Sequence, residues 1–354
     1  MGAGTAAPVT MKTLAEDLGV SVTTVSNAYS KPDRLSEELR EQILARAQEI
    51  GYCGPSAAGR ALRSGRTDVC GFLFGGEVSR AFSDPYSVIF LSGLSEALEE
   101  HGASVLLLRA SGAQEAENQL LQRAAIDAIV VGSTLGAHPG LDVLRRRGIR
   151  IVGTHAGEDG DWVAINDAKA GRLVGKHLTR LGHQRVVVLA PSRSVQQGEE
   201  AEADVDAVID GRVPVYSGFV TERLRGLREK LPGARITVVC TDHNTREAGR
   251  SAGAHALDVQ GGPSAIVALS DVLAVGVWDA VTERGLTPGR DLSIVGFDDI
   301  PDAGFLGITT VHQPIAEKGR LAGRLAMDPD RSERQITLPV ELVVRTSTGP
   351  APRN

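Results

Sequence analysis

Long apolar runs, paired cysteines and a secretory leader pattern are all missing from this 354-residue chain. No run approaches the roughly 20 apolar residues that span a bilayer, and the first 20 residues lack the charged, apolar and small-residue order of a signal peptide. We therefore expect a cytoplasmic protein with no membrane partner. Cys53, Cys70 and Cys240 lie far apart without CxxC or Cys/His spacing, which argues against disulfides and zinc and predicts buried thiols.

Enzyme motifs are also missing. There is no P-loop, no GxGxxG after the first predicted strand, no GxSxG and no HExxH, and Gly75-Gly76 is too short to cradle a phosphate. His155, His177 and His183 have no carboxylate or cysteine at triad or metal spacing, so we interpret them as surface or structural residues. The sequence therefore predicts neither catalytic residues nor a metal or cofactor.

Composition and charge are those of an ordinary soluble protein. Hydrophobic residues make up 42% of the chain and charged residues 23%, and the length predicts two or three domains. The net charge is -6, but residues 1–66 hold eight Lys/Arg against seven Asp/Glu, which gives +1. A unit this weakly basic does not by itself indicate nucleic-acid binding.

The segment from Val9 to Tyr52 has helical periodicity in three parts. The pattern predicts a helix over Met11–Leu18, a turn at Gly19, and a second helix from Val22 to Tyr29 with Ser21 as its N-cap; Ser36 caps a third. Two short helices joined by about three residues that include glycine are typical of a helix-turn-helix. The same spacing also fits a three-helix bundle with no role in DNA binding.

Residues 54–66 have the composition of a linker. They are small and basic, and glycines bracket a possible short helix that Gly59 weakens by up to ~1 kcal/mol relative to alanine. We expect this helix to fold only when a partner holds it.

Beyond Thr67, short β-rich runs alternate with amphipathic helices. This alternation predicts doubly wound parallel sheets, and about eight strands favour two similar lobes with a ligand cleft between them. The acidic segment 196–211 is expected to be an extended surface loop. The predicted strands are Val69–Phe74, Val105–Leu108, Ala128–Val131, Ile149–Val152, Val186–Leu189, Ile236–Val239, Ala265–Leu269 and Leu292–Phe297.

Four motifs in order resemble the LacI/GalR (lactose-repressor) family of bacterial transcription regulators, over essentially the whole chain. They are TLAEDLGVSVTTVSN at 13–27, RALRSGRT at 60–67, LGH at 181–183 and LSIVGFDD at 292–299. The resemblance implies a helix-turn-helix domain over 1–53, a hinge over 54–66, and a periplasmic-binding-protein-like effector and dimerisation domain over 67–354. It also implies an N-lobe of about 67–164 and 298–330 and a C-lobe of about 165–297 and 331–348.

The resemblance implies that double-stranded DNA is the partner of the first two regions. Val25 is expected in the core, and Leu62 is expected to wedge into the minor groove, unless it only packs the linker against the sensor domain. Asn27 stands where most members have arginine, so adenine is favoured over guanine at that base. The DNA-binding candidates are Lys12, Thr13, Ser21, Val22, Thr23, Thr24, Ser26, Asn27, Tyr52, Arg60, Leu62 and Arg63.

For the cleft, the resemblance implies a sugar-like small-molecule effector. Asp84 and Asp271 fit ligand binding and helix capping equally well, and Asp298-Asp299 is expected to shape the crossing between lobes. The effector-binding candidates are Phe82, Asp84, Tyr86, Arg223, Asn244 and Asp271.

The predicted function is that of a homodimeric repressor whose affinity for a palindromic operator is set by the effector through a population shift. A solute-binding protein of the sugar-transport type shares the two-lobed fold, but it has no use for a helix-turn-helix. An enzyme that uses the cleft is the third hypothesis, and the missing motifs argue against it.

Overall fold

The computed structural model describes residues 9–55, 59, 61, 64–110, 114–132, 140–157, 160–191, 201–213, 218–241 and 243–352. The chain divides into two units, Met1–Thr67 and Asp68–Asn354.

Residues 9–55 of the smaller unit contain three α-helices: α1 (Met11–Leu18), α2 (Val22–Ser30) and α3 (Glu37–Glu49). They pack around a small core in which Leu14, Val25 and Ile43 are fully buried, so the prediction for Val25 is confirmed. Tyr29 and Tyr52 close one side of this core in an edge-to-face contact, with ring centroids 6.0 Å apart.

The turn between α1 and α2 follows the sequence closely. Gly19 takes the left-handed conformation (φ 64°) that ends α1 with little strain, and Ser21 caps α2 by accepting a hydrogen bond from the Thr24 amide at 3.0 Å. Ser36 caps α3 in the same way, through the amide of Leu39. Both predicted caps are confirmed. The prediction for Cys53 is wrong, because its side chain is exposed at the end of the unit, whereas Cys70 and Cys240 are buried.

Six of the thirteen residues of the predicted hinge, 56–58, 60, 62 and 63, lie outside the described residues. Arg60, Leu62 and Arg63 are among those outside, so the hinge helix and the wedge remain predictions.

In the larger unit, strands alternate with helices. The strands are β1 (Val69–Gly75), β2 (Ser104–Ala110), β3 (Ala128–Val131), β4 (Arg150–Gly153), β5 (Asp161–Ile165), β6 (Arg185–Pro191), β7 (Ala201–Asp204), β8 (Arg235–Thr241), β9 (Ala265–Ala268), β10 (Ser293–Asp298), β11 (Thr309–His312), β12 (Gln335–Leu338) and β13 (Glu341–Val343). The helices are α4 (Pro85–Glu100), α5 (Gln114–Arg123), α6 (Leu141–Arg146), α7 (Asp167–Arg180), α8 (Val205–Ile209), α9 (Gly218–Lys230), α10 (Arg246–Asp258), α11 (Asp271–Glu283), α12 (Pro301–Leu306) and α13 (Ile315–Met327).

The strands form two sheets. The first has the order β12-β5-β4-β3-β1-β2 and is parallel throughout; the second has the order β13-β11-β10-β9-β6-β8-β7 and is parallel except at its two edges. Alternate residues of β1 pack into two separate cores, Phe72 into one and Leu73 into the other, because both faces of the first sheet are covered. The predicted two-lobed α/β architecture is confirmed, and all eight predicted strands are present.

The chain crosses between the sheets three times, at 165–167, 312–315 and 338–341. The first crossing lies where it was expected. The other two differ from the expected lobe bounds, because β11 pairs with β10 in the second sheet while β12 pairs with β5 in the first. The first lobe therefore consists of about 68–165 and 315–338, and the second of about 167–312 and 341–352.

Glycines let two helix pairs that flank the cleft pack at close range. A Cβ atom on Gly93 of α4 would lie 2.0 Å from the carbonyl oxygen of Ala316 in α13, and one on Gly226 of α9 would lie 2.0 Å from that of Ala168 in α7. Any larger residue at these positions would push the helices apart. The close packing fixes the side chains that α9 and α13 direct to the space between the lobes.

The acidic segment after β6 differs in part from its predicted loop. Residues 201–209 form β7 and α8, with β7 paired antiparallel to β8 at the sheet edge; residues 196–200 lie outside the described part. The strand Ala201–Asp204 lacks β-branched residues, so its pairing depends on backbone hydrogen bonds that the sequence pattern does not reveal.

Candidate functional site

The first candidate site is the exposed face of α2. Ser21, Val22 and Thr23 are exposed at its N-terminus, and Val22 leaves 45% of its surface in solvent although it is apolar. Ser26 and Asn27 follow one turn later and are half-buried. These side chains lie on the second helix of the helix-turn-helix, the element that enters the major groove in this type of domain.

The remaining candidates flank that face. Lys12 and Thr13 are exposed on α1, and Thr24 and Tyr52 are half-buried. The Thr24 hydroxyl lies 2.8 Å from the Ser21 hydroxyl, so these two groups form one polar end to the helix. Exposed backbone amides at a helix N-terminus suit a phosphate, because the helix dipole favours negative charge there.

The second candidate site is a cavity of about 140 Å³ between the two sheets of the larger unit, which we call the cleft cavity. Its walls include the carboxyl ends of β1, β6 and β10, the edge at which parallel α/β sheets bind ligands. Phenylalanines at 72, 74, 90 and 219 supply apolar wall. The charged lining residues are Arg80, Asp84, Asp167, Arg223, Asp298 and Lys318.

Arg223 is the most extensively bonded of these residues. Its Nε donates to Oδ1 of Asp167 at 2.8 Å, and its Nη1 donates to the carbonyl oxygen of Leu269 at 2.8 Å. The guanidinium lies over the rings of Phe219 and Phe297, 4.8 and 4.3 Å from their centroids. Both charged side chains of the pair are about nine-tenths buried, so this ion pair is a structural part of the cleft wall.

The two carboxylate oxygens of Asp84 differ in their partners, and its predicted capping role is confirmed. Its Oδ2 caps α4 by accepting from the amide and hydroxyl of Ser87, at 3.1 and 2.5 Å. Its Oδ1 is buried and has no hydrogen-bond partner among the described residues. A buried carboxylate oxygen without a partner is costly, so a donor from a bound molecule would stabilise it.

Lys318 contributes a buried amine from α13. Its Nζ lies 3.3 Å from the hydroxyl of Tyr86, and only 4% of the residue is exposed. Burial lowers the pKa of Lys318 to about 8, although Asp167 and Asp298 oppose that change. Burial also raises the pKa of Tyr86, so its phenol stays protonated.

Asp298, at the end of β10, and Gln313, in the second crossing, both line the cavity. Gln313 donates through Nε2 to Oδ1 of Asp298 at 2.6 Å, while its own Oε1 is buried and unpaired within the described chain. Burial and the nearby Asp84 carboxylate raise the pKa of Asp298 to about 7, against the opposing charge of Arg223. Asp298 was expected to shape the crossing between the lobes, but the chain stays in the second sheet from β10 to β11, so that prediction is wrong and the residue lines the cavity instead.

Asp298 makes the stability of the larger unit depend on pH. Its pKa rises from 3.8 unfolded to about 7 folded, so between these values the folded state holds a proton that the unfolded state releases. The free energy of unfolding from this group therefore falls as pH rises from about 4 to 7. As pH rises from about 4 to 7, we expect the free energy of unfolding of Asp298→Asn to increase by about 2–4 kcal/mol relative to that of the parent. The measurement is urea denaturation of both proteins at each pH.

The matched control is Asp302→Asn, an exposed carboxylate on α12. Its stability relative to the parent should stay constant from pH 4 to 7. Parallel pH profiles for Asp298→Asn and the parent would show that Asp298 is ionised throughout this range.

Four of the six predicted effector residues line the cavity: Asp84, Tyr86, Arg223 and Asn244. The Asn244 carbonyl oxygen accepts from Nη2 of Arg80 at 2.6 Å, which joins the two lobes beside the cavity. Phe82 does not line it, because its ring is 69% exposed on the 3-10 helix Val78–Phe82.

Asp271 also lies outside the cavity lining. It is fully buried behind the crossing, where it accepts from the Ile300 amide at 3.0 Å and from the Thr310 hydroxyl at 2.7 Å. Ser270 caps α11 through the Leu273 amide, so the capping alternative for Asp271 is wrong, while its effector contact stays a prediction.

Sequence reasoning missed Lys318, Gln313, Asp167 and the lining residue His155, which had been interpreted as surface or structural. A signal for Lys318 was present. It falls on the buried stripe of α13 with Ile315 and Ala322, and a lysine on the apolar face of a helix needs a polar environment.

Comparisons with known proteins match both units to described families. Residues 10–54 match the model of bacterial regulatory proteins of the lacI family, residues 75–210 that of periplasmic binding proteins and the sugar-binding domain of the LacI family, and residues 176–348 a periplasmic-binding-protein-like domain. An HTH-type transcriptional regulator of Mycolicibacterium smegmatis is 33% identical over 358 residues, with 96% of each chain covered. The chain belongs to the LacI family.

Other LacI-family proteins resemble it over similar lengths. The HTH-type transcriptional regulator IpsA of Corynebacterium glutamicum is 31% identical, with 93% of this chain and 94% of that protein covered. A crystal structure of a LacI-family regulator from Corynebacterium glutamicum matches with a TM-score of 0.68 at 26% identity, covering 97% and 98% of the two chains. A complex of the regulator CelR with cellobiose shares the fold, with a TM-score of 0.66 at 23% identity over 96% of this chain and all of that one.

As a LacI-family member, the chain is a DNA-binding transcription regulator and not an enzyme. In the part of the chain that the structure describes, no helix has the length and apolar character to cross a membrane.

Proposed function

We propose that this LacI-family regulator is a cytoplasmic repressor that binds a palindromic operator as a homodimer, and that a small polyhydroxylated or carboxylated effector controls its DNA affinity. The observation that carries the proposal is the cleft cavity, where a buried Arg223–Asp167 pair stands beside polar atoms without partners on Asp84 and Gln313. Buried groups of this kind are expected where a ligand completes the hydrogen bonding.

Control of DNA binding follows from the way the lobes are joined. Three short crossings and the bond from Arg80 to the Asn244 carbonyl oxygen connect the lobes around the cavity. An effector that bonds to both lobes stabilises their closed arrangement, because it binds that arrangement better than an open one. The fraction of molecules whose lobes are closed then sets the geometry at the hinge that leads to the DNA-binding helices.

The hinge supplies the second DNA contact in this proposal. Arg60 and Arg63 attract phosphate, and Leu62 enters a minor-groove step that bends the DNA. We expect Leu62→Ala to weaken operator binding at least tenfold in a fluorescence-anisotropy titration, because the apolar wedge is lost. Sedimentation should show an intact dimer. Unchanged operator affinity would mean that Leu62 only packs the linker.

An exposed sheet edge supports the homodimer. β2 is the edge strand of the first sheet, and its Val105 and Leu106 each leave 37% of their surface in solvent. Open apolar edge strands favour association unless another chain covers them. Val88 of α4, a helix that contacts β2, is also exposed, at 45%.

We expect Leu106→Lys to raise the dimer dissociation constant at least tenfold, since a lysine at this edge opposes apolar contact. The measurement is sedimentation velocity over a concentration series. Val344→Lys is the matched control, because Val344 is 53% exposed away from this edge. A dimer that survives Leu106→Lys unchanged would place the interface elsewhere.

The whole proposal is tested by selecting binding sites from random duplex DNA with the purified protein, with and without a panel of sugars and sugar acids. A palindromic site that is lost or gained with one compound would support the regulator and name its effector. Ligand binding without any DNA enrichment at moderate salt would favour a solute-binding role for the larger unit.

A further inference from the structure

Lysine is scarce in this chain, and one lysine lies where the fold leaves almost no solvent. Only six of the 38 Lys and Arg residues are lysines. Lys318 on α13 is 4% exposed, whereas four of the others are exposed and Lys230 is half-buried. Arginine keeps its charge in proteins, but a buried lysine readily loses its proton. The cavity wall therefore holds a cation of the one type that can become a neutral, nucleophilic amine.

The amine of Lys318 has little to hold a charge in place. Its Nζ lies 3.3 Å from the Tyr86 hydroxyl, and it forms no hydrogen bond to a carboxylate within the described residues. Asp167 and Asp298 act on it only through space. A buried ammonium without a bonded counter-ion is costly, so the structure favours the unprotonated amine. Burial accordingly lowers the pKa of Lys318 to about 8.

The space beside this amine suits a compact molecule. The cleft cavity that Lys318 lines has a volume of about 140 Å³, close to the ~150 Å³ of a protein cavity that holds one benzene molecule. Aromatic rings at Phe72, Phe74 and Phe219 supply apolar wall. A molecule with one aromatic ring or a short apolar chain therefore fits within reach of Nζ.

The Tyr86 phenol places a proton donor next to the amine. Burial raises the pKa of Tyr86, so its hydroxyl stays protonated at neutral pH and can donate to an oxygen held near Nζ. Its ring stacks on Phe90, with centroids 6.4 Å apart, which helps to fix the hydroxyl. An unprotonated amine beside a proton donor is the pair of groups that imine formation uses.

We propose that Lys318 is a covalent capture site for a small aldehyde, which it holds in the cleft cavity as an imine. Nζ adds to the carbonyl carbon, and one amine proton passes to the carbonyl oxygen to give a carbinolamine. The Tyr86 hydroxyl then gives a proton to the departing oxygen and recovers one from the nitrogen, so that water leaves and a C=N bond forms. No oxidant or reductant takes part. The inference goes beyond the proposed function, because capture does not depend on control of DNA binding.

The test treats full-length protein, without DNA, with benzaldehyde and cyanoborohydride, which reduces the imine to a stable benzyl-lysine. Digestion and mass spectrometry then compare the six lysines and resolve the N-terminal amine from them. At pH 7 we expect Lys318 to be labelled at least tenfold faster than the exposed Lys169 and Lys176, because more of its amine is unprotonated. Labelling of Lys318 no faster than that of the exposed lysines overturns the inference.

The pH dependence distinguishes a neutral amine from one that is merely well placed. Lys318 is largely unprotonated above pH 8, whereas an ordinary lysine continues to lose protons up to about pH 10. The ratio of Lys318 to Lys176 labelling should therefore fall at least tenfold from about pH 7 to 10. A ratio that stays constant over this range removes the neutral amine from the proposal.

A variant and a larger aldehyde test the assigned groups. Tyr86→Phe keeps the ring without the hydroxyl and should slow labelling of Lys318 at least tenfold, while Lys176 reacts at the parental rate. Thermal melts report whether the variant is folded, and an unchanged Lys318 rate removes the phenol from the mechanism. Pyrene-1-carboxaldehyde is too large for the cavity and should label Lys318 no faster than Lys176. Selective labelling of Lys318 by this aldehyde would place the reaction outside the cavity.

Discussion

Replacing Arg223 with methionine is expected to lower the free energy of unfolding of the larger unit by about 3–5 kcal/mol. The change leaves the Asp167 carboxylate buried without its counter-charge, and removing one partner of a buried ion pair costs about that amount. It also removes the donor to the Leu269 carbonyl oxygen. The measurement is urea denaturation followed by a probe in the larger unit.

The matched control for this prediction is Arg225→Met in the same helix. Arg225 is 52% exposed and pairs with Glu222 on the surface, so its loss should change stability by no more than about 0.5 kcal/mol. Adding Asp167→Asn to Arg223→Met should restore part of the loss, because the unpaired charge is removed. A cost below about 1 kcal/mol for Arg223→Met would mean that water reaches and solvates Asp167.

Replacing Asn27 with arginine is expected to change the preferred base at one position of each operator half-site from adenine to guanine. Asparagine pairs with the N6 and N7 edge of adenine, whereas arginine pairs with O6 and N7 of guanine, and each such pair is worth about 1–3 kcal/mol of discrimination. Asn27 is available for this contact, since its side chain has no hydrogen-bond partner among the described residues. The proposed dimer contacts the position twice, so each protein should prefer its own full site over the other by about 2–6 kcal/mol.

The measurement is parallel site selection with the parent and Asn27→Arg proteins, followed by titration of both sites at one salt concentration. Gln48→Ala, exposed on α3, is the control and should select the parental site. Identical consensus sites for the parent and the Asn27→Arg protein would place Asn27 away from the base edges.

Local patterns in the sequence were sufficient to predict the turn and the helix caps of the smaller unit. Ser21, Gly19 and Ser36 act through hydrogen bonds and backbone angles within a few residues, so their roles could be predicted without knowing the fold. The strands β1 and β3 were found for a related reason, because apolar β-rich runs buried on both faces differ from their surroundings.

The cleft was only partly predictable, because its residues come from distant parts of the chain. Family resemblance led to four of the lining residues: Asp84, Tyr86, Arg223 and Asn244. Gln313 lies in the second crossing and Lys318 just after it, and that crossing had been assigned to a different place in the sequence. That misassignment arose at β11 and β12, two four-residue strands whose sheet membership depends on pairing partners. Asp271 and Ser270 are adjacent in sequence, and only the packing decided which one caps the helix.

The interleaved path of the chain between the two lobes has a consequence for how the protein is made. The first lobe needs α13 and β12, and both emerge from the ribosome only after residues 167–312, most of the second lobe, have been synthesised. Until then β5 remains an unpaired sheet edge and α4 lacks the helix against which its glycine packs. Domains usually fold in the order of their synthesis, but here the lobe that starts first cannot be completed until most of the second lobe has been made. A nascent chain has no complete cleft cavity before Lys318 is added, so a ligand of that cavity can assist folding only late in translation.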